Sequence, residues 1–254
     1  MDLTRRHALA WLGTLAGAAW AGQAAGAEKA APKAADKAAD KTKAAAPKAG
    51  GPKGAAKALP PDEEAWAELA EGNKRFMAGT PRERTLVPLR QELAKGQKPR
   101  VMVLTCSDSR VVPTLAFDQS LGDLFVIRTA GNVADPVAVG SLEYAAAHLG
   151  SIVLLVMGHE KCGAVAAALT GEKPHSPNLR AIVKRIAPAV KTARAKVQGD
   201  ALPAAAIEEN VRQSAADVLK RSAVLRQMVE AKKLTVMLAV YKLESGEVVR
   251  LADA

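Results

Sequence analysis

Two short polar segments contain the side chains that could carry chemistry. Cys106 and Asp108 come directly after one apolar run, and His159 and Cys162 come directly after another. Thiolates and imidazole are ligands that Zn²⁺ prefers in tetrahedral sites. His159 and Cys162 are three residues apart, so they could chelate one ion, and Cys106 could complete the set from a neighbouring strand. Three protein ligands leave the fourth position for water or for Asp108, as a catalytic zinc requires.

Asp108 is followed two residues later by Arg110. The carboxylate could bind the metal directly, or it could accept a proton from metal-bound water. Arg110 could form a bidentate ion pair with this carboxylate, keep it ionised and draw it away from the metal. A salt bridge that only closes the loop is the alternative interpretation of the pair.

The two cysteines have other possible roles. A disulfide between Cys106 and Cys162 is possible in an exported protein, but it would not explain why His159 and Asp108 accompany them. A redox pair is disfavoured because the cysteines are far apart in the sequence and do not form a CxxC motif. A Cys–His hydrolase would need only one cysteine.

Three further positions are weaker candidates. His148 lies in an apolar helical segment, so we predict a packed or interfacial histidine rather than a ligand. His175 lies between prolines and is predicted to be on a surface loop. The pair Gly131–Asn132 follows a predicted strand and could line the site or simply turn the chain.

The segments around these residues alternate between strand and helix patterns, which predicts an α/β fold with a mainly parallel sheet flanked by helices. The carboxyl ends of its strands would bring the polar segments to one edge, where ligands bind in such sheets. Short apolar runs typical of strands are Val101–Thr105, Leu124–Thr129, Ile152–Met157, Leu234–Leu243 and the hairpin partner 247–251. Segments with helical patterns are 63–78, 137–149 and 178–232, the last with predicted breaks near Pro188 and at 199–203.

The positive charge is concentrated near the amino terminus. Of the net +10, residues 28–60 account for +5 and residues 1–27 for +1, which leaves +4 on the remainder. Aromatic residues make up 3% of the chain, too few for a base-stacking surface. The basic composition therefore does not indicate a nucleic-acid partner.

Residues 1–27 have the features of a signal peptide: a basic start, a short apolar run, and Ala25–Ala27 as a cleavage site. The pair Arg5-Arg6 favours a twin-arginine leader, and a general secretory leader is the alternative. Residues 28–60 form an Ala/Lys/Pro-rich segment predicted to be a disordered linker, which could contact anionic envelope polymers weakly. The catalytic domain is predicted at 61–254, in an exported protein, periplasmic or secreted, with no membrane span.

The motifs resemble those of the β-class carbonic anhydrases closely, and the resemblance extends over about residues 62–250. It implies a sheet of four mainly parallel strands plus a fifth, flanked by helices, in a homodimer or dimer of dimers. The N-terminal helix would pack on the partner subunit. The motifs are CSDSR at 106–110, GDLFVIR at 122–128, AGN at 130–132 and GHEKCGA at 158–164.

The resemblance also implies one zinc ion per chain, bound by Cys106, His159 and Cys162. Asp108 would alternate between binding this metal and pairing with Arg110. The implied reaction is the reversible hydration of carbon dioxide to bicarbonate and a proton, by attack of zinc-bound hydroxide. Asp108 would accept a hydrogen bond from that hydroxide.

The substrate pocket is less well defined by the sequence. Some members of the family carry a substrate-contacting glutamine where this chain has Ser120. Gln119 precedes that position and is assigned no catalytic role. Because carbon dioxide is small and apolar, we expect apolar pocket walls, with Val111, Phe117 and Gly163 as candidates.

Two other functions use the same residues. An enzyme of the same fold could hydrolyse a carbon dioxide analogue, carbonyl sulfide or carbon disulfide, and the metal ligands do not separate these substrates. A non-catalytic protein could bind zinc or the cell envelope. Asp108 and Arg110 argue against that function because a purely structural zinc site does not need them.

Overall fold

The computed structural model describes residues 59–171 and 173–252. The predicted signal peptide and residues 28–58 of the predicted linker lie outside the described residues. In the part of the chain that is described, no helix has both the length and the apolar character needed to cross a membrane.

A five-stranded sheet forms the centre of the described part of the chain. Its strand order is β2-β1-β3-β4-β5, with parallel pairing among the first four strands and antiparallel pairing between β4 and β5. The predicted α/β fold, with four parallel strands and a fifth at the edge, is confirmed. The strands are β1 (Val101–Cys106), β2 (Leu124–Thr129), β3 (Val153–His159), β4 (Thr235–Tyr241) and β5 (Val248–Arg250).

Helices cover both faces of the sheet. They are α1 (Pro61–Met77), α2 (Leu86–Leu93), α3 (Pro113–Ala116), α4 (Pro136–His148), α5 (Gly163–Thr170), α6 (Pro177–Lys196), α7 (Leu202–Arg221) and α8 (Ala223–Glu230), with 3-10 turns at Ala130–Asn132 and Gly199–Ala201. Several helix starts are visible in the sequence. Asp135 accepts a hydrogen bond from the backbone N–H of Ala138 at the start of α4, and Ser222 accepts one from Leu225 at the start of α8.

The predicted helix break near Pro188 is wrong, because α6 continues through this residue. Proline removes one backbone hydrogen bond, whose acceptor would be the carbonyl four residues earlier. Pro188 and Lys184 both face solvent, where water can replace that bond. The predicted break at 199–203 is confirmed, since α6 ends at Lys196 and α7 begins at Leu202.

The two central strands are buried on both faces. All residues of β1 and β3 are buried, and successive side chains point to opposite sides of the sheet. Met102 and Leu104 pack in a core with α4, α7 and α8, whereas Val101 and Val103 pack with α1 and α3. This double burial holds the ends of β1 and β3 in fixed positions at the carboxyl edge of the sheet.

Candidate metal centre

The two polar segments singled out in the sequence meet at the carboxyl edge of the sheet. Strands β1 and β3 are neighbours, and β1 ends at Cys106 while β3 ends at His159. Ligand atoms of Cys106, His159 and Cys162 all lie within 4.8 Å of one another, and all three residues are buried. The structure thus brings together the three residues predicted to bind a metal.

The ring of His159 is oriented by the backbone. Its Nδ1 lies 2.8 Å from the carbonyl oxygen of Glu160. Since a carbonyl can only accept, Nδ1 donates, and Nε2 of the neutral ring carries the free lone pair. Nε2 is buried and has no hydrogen-bond partner among the described residues, an arrangement that is costly unless the atom binds something.

The two cysteines are free thiols whose sulfur atoms are 4.0 Å apart. That is about twice the length of a disulfide bond, so the alternative of a disulfide is wrong. Contact with Cys162 lowers the pKa of Cys106 to about 4 although burial opposes this shift, and the pKa of Cys162 is raised in turn. Two sulfurs and an unpartnered imidazole nitrogen form a donor set that fits a zinc ion.

The pKa of His159 reflects the same neighbours. Burial lowers this pKa, but Cys106 and Asp108 favour the charged ring and the net shift is upward. Thiols and imidazole nitrogens must be deprotonated to bind a metal ion, so metal binding at this cluster would depend on pH.

Asp108 and Arg110 form the predicted ion pair at the rim of the cluster. Nε and one Nη atom of Arg110 donate to the two carboxylate oxygens over 2.9 and 2.7 Å, and the backbone N–H of Arg110 adds a bond of 2.9 Å. These contacts hold the pKa of Asp108 well below its usual range. Oδ2 of Asp108 lies 3.8 Å from Nε2 of His159, so the ionised carboxylate is next to the ligand set while bound to Arg110.

Arg128 holds the loop that carries these groups, and sequence reasoning assigned it no role. Its guanidinium donates to the carbonyl oxygens of Cys106, Asp108 and Val111 over 3.1, 2.6 and 2.8 Å. Arg128 lies in one of the family-like motifs, but its purpose depends on β2 lying beside β1. That contact is decided by tertiary structure.

The turn at Gly131 belongs to the site and does more than turn the chain. The backbone N–H of Gly131 donates to Sγ of Cys106 over 3.3 Å. Gly131 has φ +68, and an added Cβ would lie 2.7 Å from Cδ1 of Ile186 and 2.9 Å from Cβ of Ala164. Glycine is therefore required both by the backbone conformation and by the space.

The two weaker histidine candidates do not belong to the cluster. His148 is exposed and its ring contacts Tyr144, with 5.4 Å between ring centroids, and His175 is exposed as predicted. Gln119 is buried and donates to the carbonyl oxygen of Phe117 over 2.9 Å, which is a structural contact.

The residues proposed as pocket walls occupy different environments. Val111 and Phe117 pack in the core and have no exposed surface, so they do not line a solvent-filled cavity. Gly163 is exposed at the start of α5.

Comparison with known proteins shows similarity to carbonic anhydrases. The profile of the carbonic anhydrase family matches residues 101–248. Carbonic anhydrase 2 of Mycobacterium tuberculosis is 38% identical over 190 residues, which cover 73% of this chain and 90% of that protein. Among solved structures, the β-carbonic anhydrase CafA of Aspergillus fumigatus is similar, with a TM-score of 0.60, 26% identity and coverage of 76% of this chain and 92% of that one. The β-carbonic anhydrase CcaA is also similar, with a TM-score of 0.59, 28% identity and coverage of 74% and 87%.

Proposed function

Because the chain belongs to the β-carbonic anhydrase family, we propose that it binds one zinc ion and catalyses the reversible hydration of carbon dioxide to bicarbonate and a proton. Cys106, His159 and Cys162 would hold the zinc. The observation that carries the proposal is the convergence of two sulfurs and an unpartnered, buried imidazole nitrogen within 4.8 Å. When bound, zinc supplies a Lewis acid that makes coordinated water more acidic.

The protein's own groups prepare this ligand set. Two thiolates offset the charge of a divalent ion, and the Glu160 carbonyl fixes the ring of His159 with Nε2 directed at the sulfurs. The N–H of Gly131 holds the sulfur of Cys106. These contacts orient the ligands before a metal arrives, which lowers the cost of binding it.

Asp108 is the proposed hydrogen-bond acceptor of the reaction. Arg110 keeps its carboxylate ionised, and Oδ2 lies 3.8 Å from Nε2 of His159. An ionised oxygen at this position can accept a hydrogen bond from a water molecule and orient it. By pairing with Asp108, Arg110 also keeps the carboxylate from occupying the fourth ligand position, and we propose that Asp108 exchanges between these two partners.

Zinc content and hydration rate, measured on the same preparation, test the proposal. We expect one zinc per chain and fast hydration of carbon dioxide in stopped-flow experiments. His159→Ala should lose both zinc and activity. His148→Ala is the matched control, because this exposed histidine lies away from the cluster, and it should retain both.

The same experiment separates the alternative functions. Zinc-loaded protein that leaves carbon dioxide unreacted but releases sulfide rapidly from carbonyl sulfide or carbon disulfide would be the analogue hydrolase. Zinc-loaded protein that acts on none of these substrates would be a non-catalytic zinc-binding or envelope-binding protein. Either result would overturn the proposed reaction.

We also propose that the chain forms a homodimer or a dimer of dimers. All residues of α2 are exposed or half-buried, including Leu86 and Val87, and Leu115 and Leu121 are exposed as well. Such apolar side chains are typical of a protein interface. Size-exclusion chromatography with light scattering tests this assembly, and a monomer at micromolar concentration would contradict it.

Export is a separate proposal that rests on residues 1–27. The arginine pair and the small residues at Ala25–Ala27 support a twin-arginine leader. Replacing Arg5 and Arg6 together by lysine should then retain the precursor in the cytoplasm. Unchanged export would point to the general secretory leader instead.

A further inference from the structure

A buried amide network links helix α7 to the turn beside the metal centre. Asn210, on α7, is 1% exposed. Its Nδ2 donates to the carbonyl oxygen of Gly131 over 2.8 Å and lies 3.3 Å from Oδ1 of Asn132. One turn later on α7, Oγ of Ser214 accepts a hydrogen bond of 3.2 Å from Nδ2 of Asn132.

This network acts on a turn whose backbone is unusual. Gly131 and Asn132 both have positive φ, +68 and +47. Non-glycine residues adopt this conformation at a cost, so Asn132 needs contacts that hold it there. The side chains of Ala164 and Ile186 fill the space beside Gly131 but make no directed bond that would set the orientation of its peptide groups. The amide of Asn210 supplies such a bond.

Gly131 links the amide network to Cys106. Asn210 holds the carbonyl of Gly131, while the N–H of the same residue donates to Sγ of Cys106 over 3.3 Å. We propose that Asn210 is a positioning residue of the metal centre, which keeps Gly131 oriented so that its N–H stays bonded to the ligand sulfur. The inference rests on the proposed function in that Cys106 is taken as a metal ligand.

Loss of the Asn210 side chain should therefore change the electron density on the sulfur of Cys106, through the turn at Gly131. A hydrogen bond to a thiolate withdraws electron density from sulfur, and contacts of this kind tune metal centres. Without the N–H donor, more density stays on Cys106. A turn that is held less firmly should also present the sulfur less well to the metal.

The test uses cobalt(II) as a spectroscopic probe and zinc affinity as a second measurement. Asn210→Asp keeps the shape of the side chain but replaces the NH₂ donor by an oxygen that repels the two oxygens near it. We expect the sulfur-to-cobalt charge-transfer band to move to longer wavelength. We also expect zinc, measured in competition with a chelator, to bind about 10-fold more weakly or worse.

Gln213→Ala is the matched control. It removes a carboxamide from the same helix, and this carboxamide donates to Asp217 over 3.0 Å. It should leave band and affinity unchanged. A folded Asn210→Asp protein with a lower unfolding temperature but an unchanged band and zinc affinity would overturn the proposal, since Asn210 would then only stabilise the fold. If Asn210→Asp does not fold, Ser214→Ala decides: a smaller shift in the same direction supports the proposal, and an unchanged band contradicts it.

Failure of the proposed function looks different in this experiment. A wild-type chain that binds neither cobalt nor zinc would refute the metal site itself, and this inference with it. A wild-type chain that binds metal and hydrates carbon dioxide, beside Asn210 and Ser214 variants with unaltered band and affinity, would refute this inference alone.

Discussion

Within residues 59–171 and 173–252, aspartate pairs with arginine in two places that differ in burial. At the metal centre, Asp108 pairs with Arg110 two residues later, and their side chains are 17% and 55% exposed. Just after α3, Asp118 pairs with Arg75, in the last turn of α1, and with Arg84, in the segment that follows α1, and its side chain is 1% exposed. The interacting groups are the same in both places. The pairs differ in exposure to water and in the length of chain between the partners.

Burial decides what each pair can do. Water screens the largely exposed guanidinium of Arg110, so Asp108 can leave it for another partner at a lower cost than Asp118 can leave its arginines. A buried carboxylate that loses its partner is strongly destabilising. Asp118 also accepts the backbone N–H of Arg82 at 3.2 Å, and together these bonds tie the segment after α1 to the end of α3. The first pair suits a reaction, and the second suits a structural role.

The largest change in the free energy of unfolding is expected when the charge of Asp118 is removed. Asp118→Asn should lower the free energy of unfolding by about 3–5 kcal/mol, because Arg75 and Arg84 lose their anionic partner in a buried site. Urea unfolding followed by circular dichroism measures the change. Asp123→Asn, at an exposed carboxylate that accepts the N–H of Ser120, should cost less than about 1 kcal/mol. Equal effects of the two substitutions would refute the distinction.

The same substitution at the metal centre should affect the reaction instead. Asp108→Asn is expected to slow carbon dioxide hydration by zinc-loaded protein about 100-fold or more, since an uncharged amide is a weaker hydrogen-bond acceptor and no longer holds Arg110. The free energy of unfolding should change less than it does in Asp118→Asn, because Arg110 remains hydrated. Stopped-flow kinetics and urea unfolding measure the two quantities on one preparation. A hydration rate equal to that of the wild type would rule out a role for the Asp108 carboxylate in the reaction.

The stability of the fold at acid pH should depend on the lowered pKa of Asp118. Burial raises this pKa, but the bonds from Arg75 and Arg84 outweigh burial and hold it at about 2. The folded pKa is thus below the unfolded value of about 3.9, so the stabilisation is complete above pH ~4 and is lost as the pH falls toward ~2. The loss through Asp118 should be about 2 kcal/mol, and Asp118→Asn should lack this contribution while it keeps the loss through other carboxylates such as Asp108. Parallel stability curves between pH 2 and 5 for the two proteins would contradict this assignment.

The smallest effect is expected from the exposed arginine. Arg110→Ala should change the free energy of unfolding by less than about 1 kcal/mol, and 1 M salt should reduce even this difference because exposed charges are screened. Arg84→Ala should cost more, since it leaves Asp118 with one arginine fewer in a buried site. Thermal unfolding at low and high salt compares the two variants, and a larger loss for Arg110→Ala would reverse the assignment of the two roles.

The trio of proposed metal ligands could be predicted because the signals in the sequence are local. Cys106 and His159 each lie at the end of an apolar run, and Cys162 follows His159 three residues later. Strand patterns depend on successive residues, and parallel strands place their carboxyl ends at one edge whatever lies between them. The predicted pairing of Asp108 with Arg110 also needed only two residues of separation.

The contacts that support this trio could not be predicted in the same way. Asn210 donates to Gly131, which is 79 residues away in the sequence. Arg128, on β2, donates to carbonyl oxygens of the loop that follows β1. The continuation of α6 through Pro188 depended on which side of the helix faces solvent, which local sequence does not state.

The amino-acid sequence alone thus determined the α/β class, the strand ends and the identity of the donor atoms, because these follow from hydrophobic patterning and ligand chemistry along short stretches. Tertiary structure decided which aspartate is buried, which peptide N–H reaches the sulfur of Cys106, and which arginine holds the loop. These outcomes depend on burial and on directed bonds between distant segments, and both come into existence only when the chain is packed.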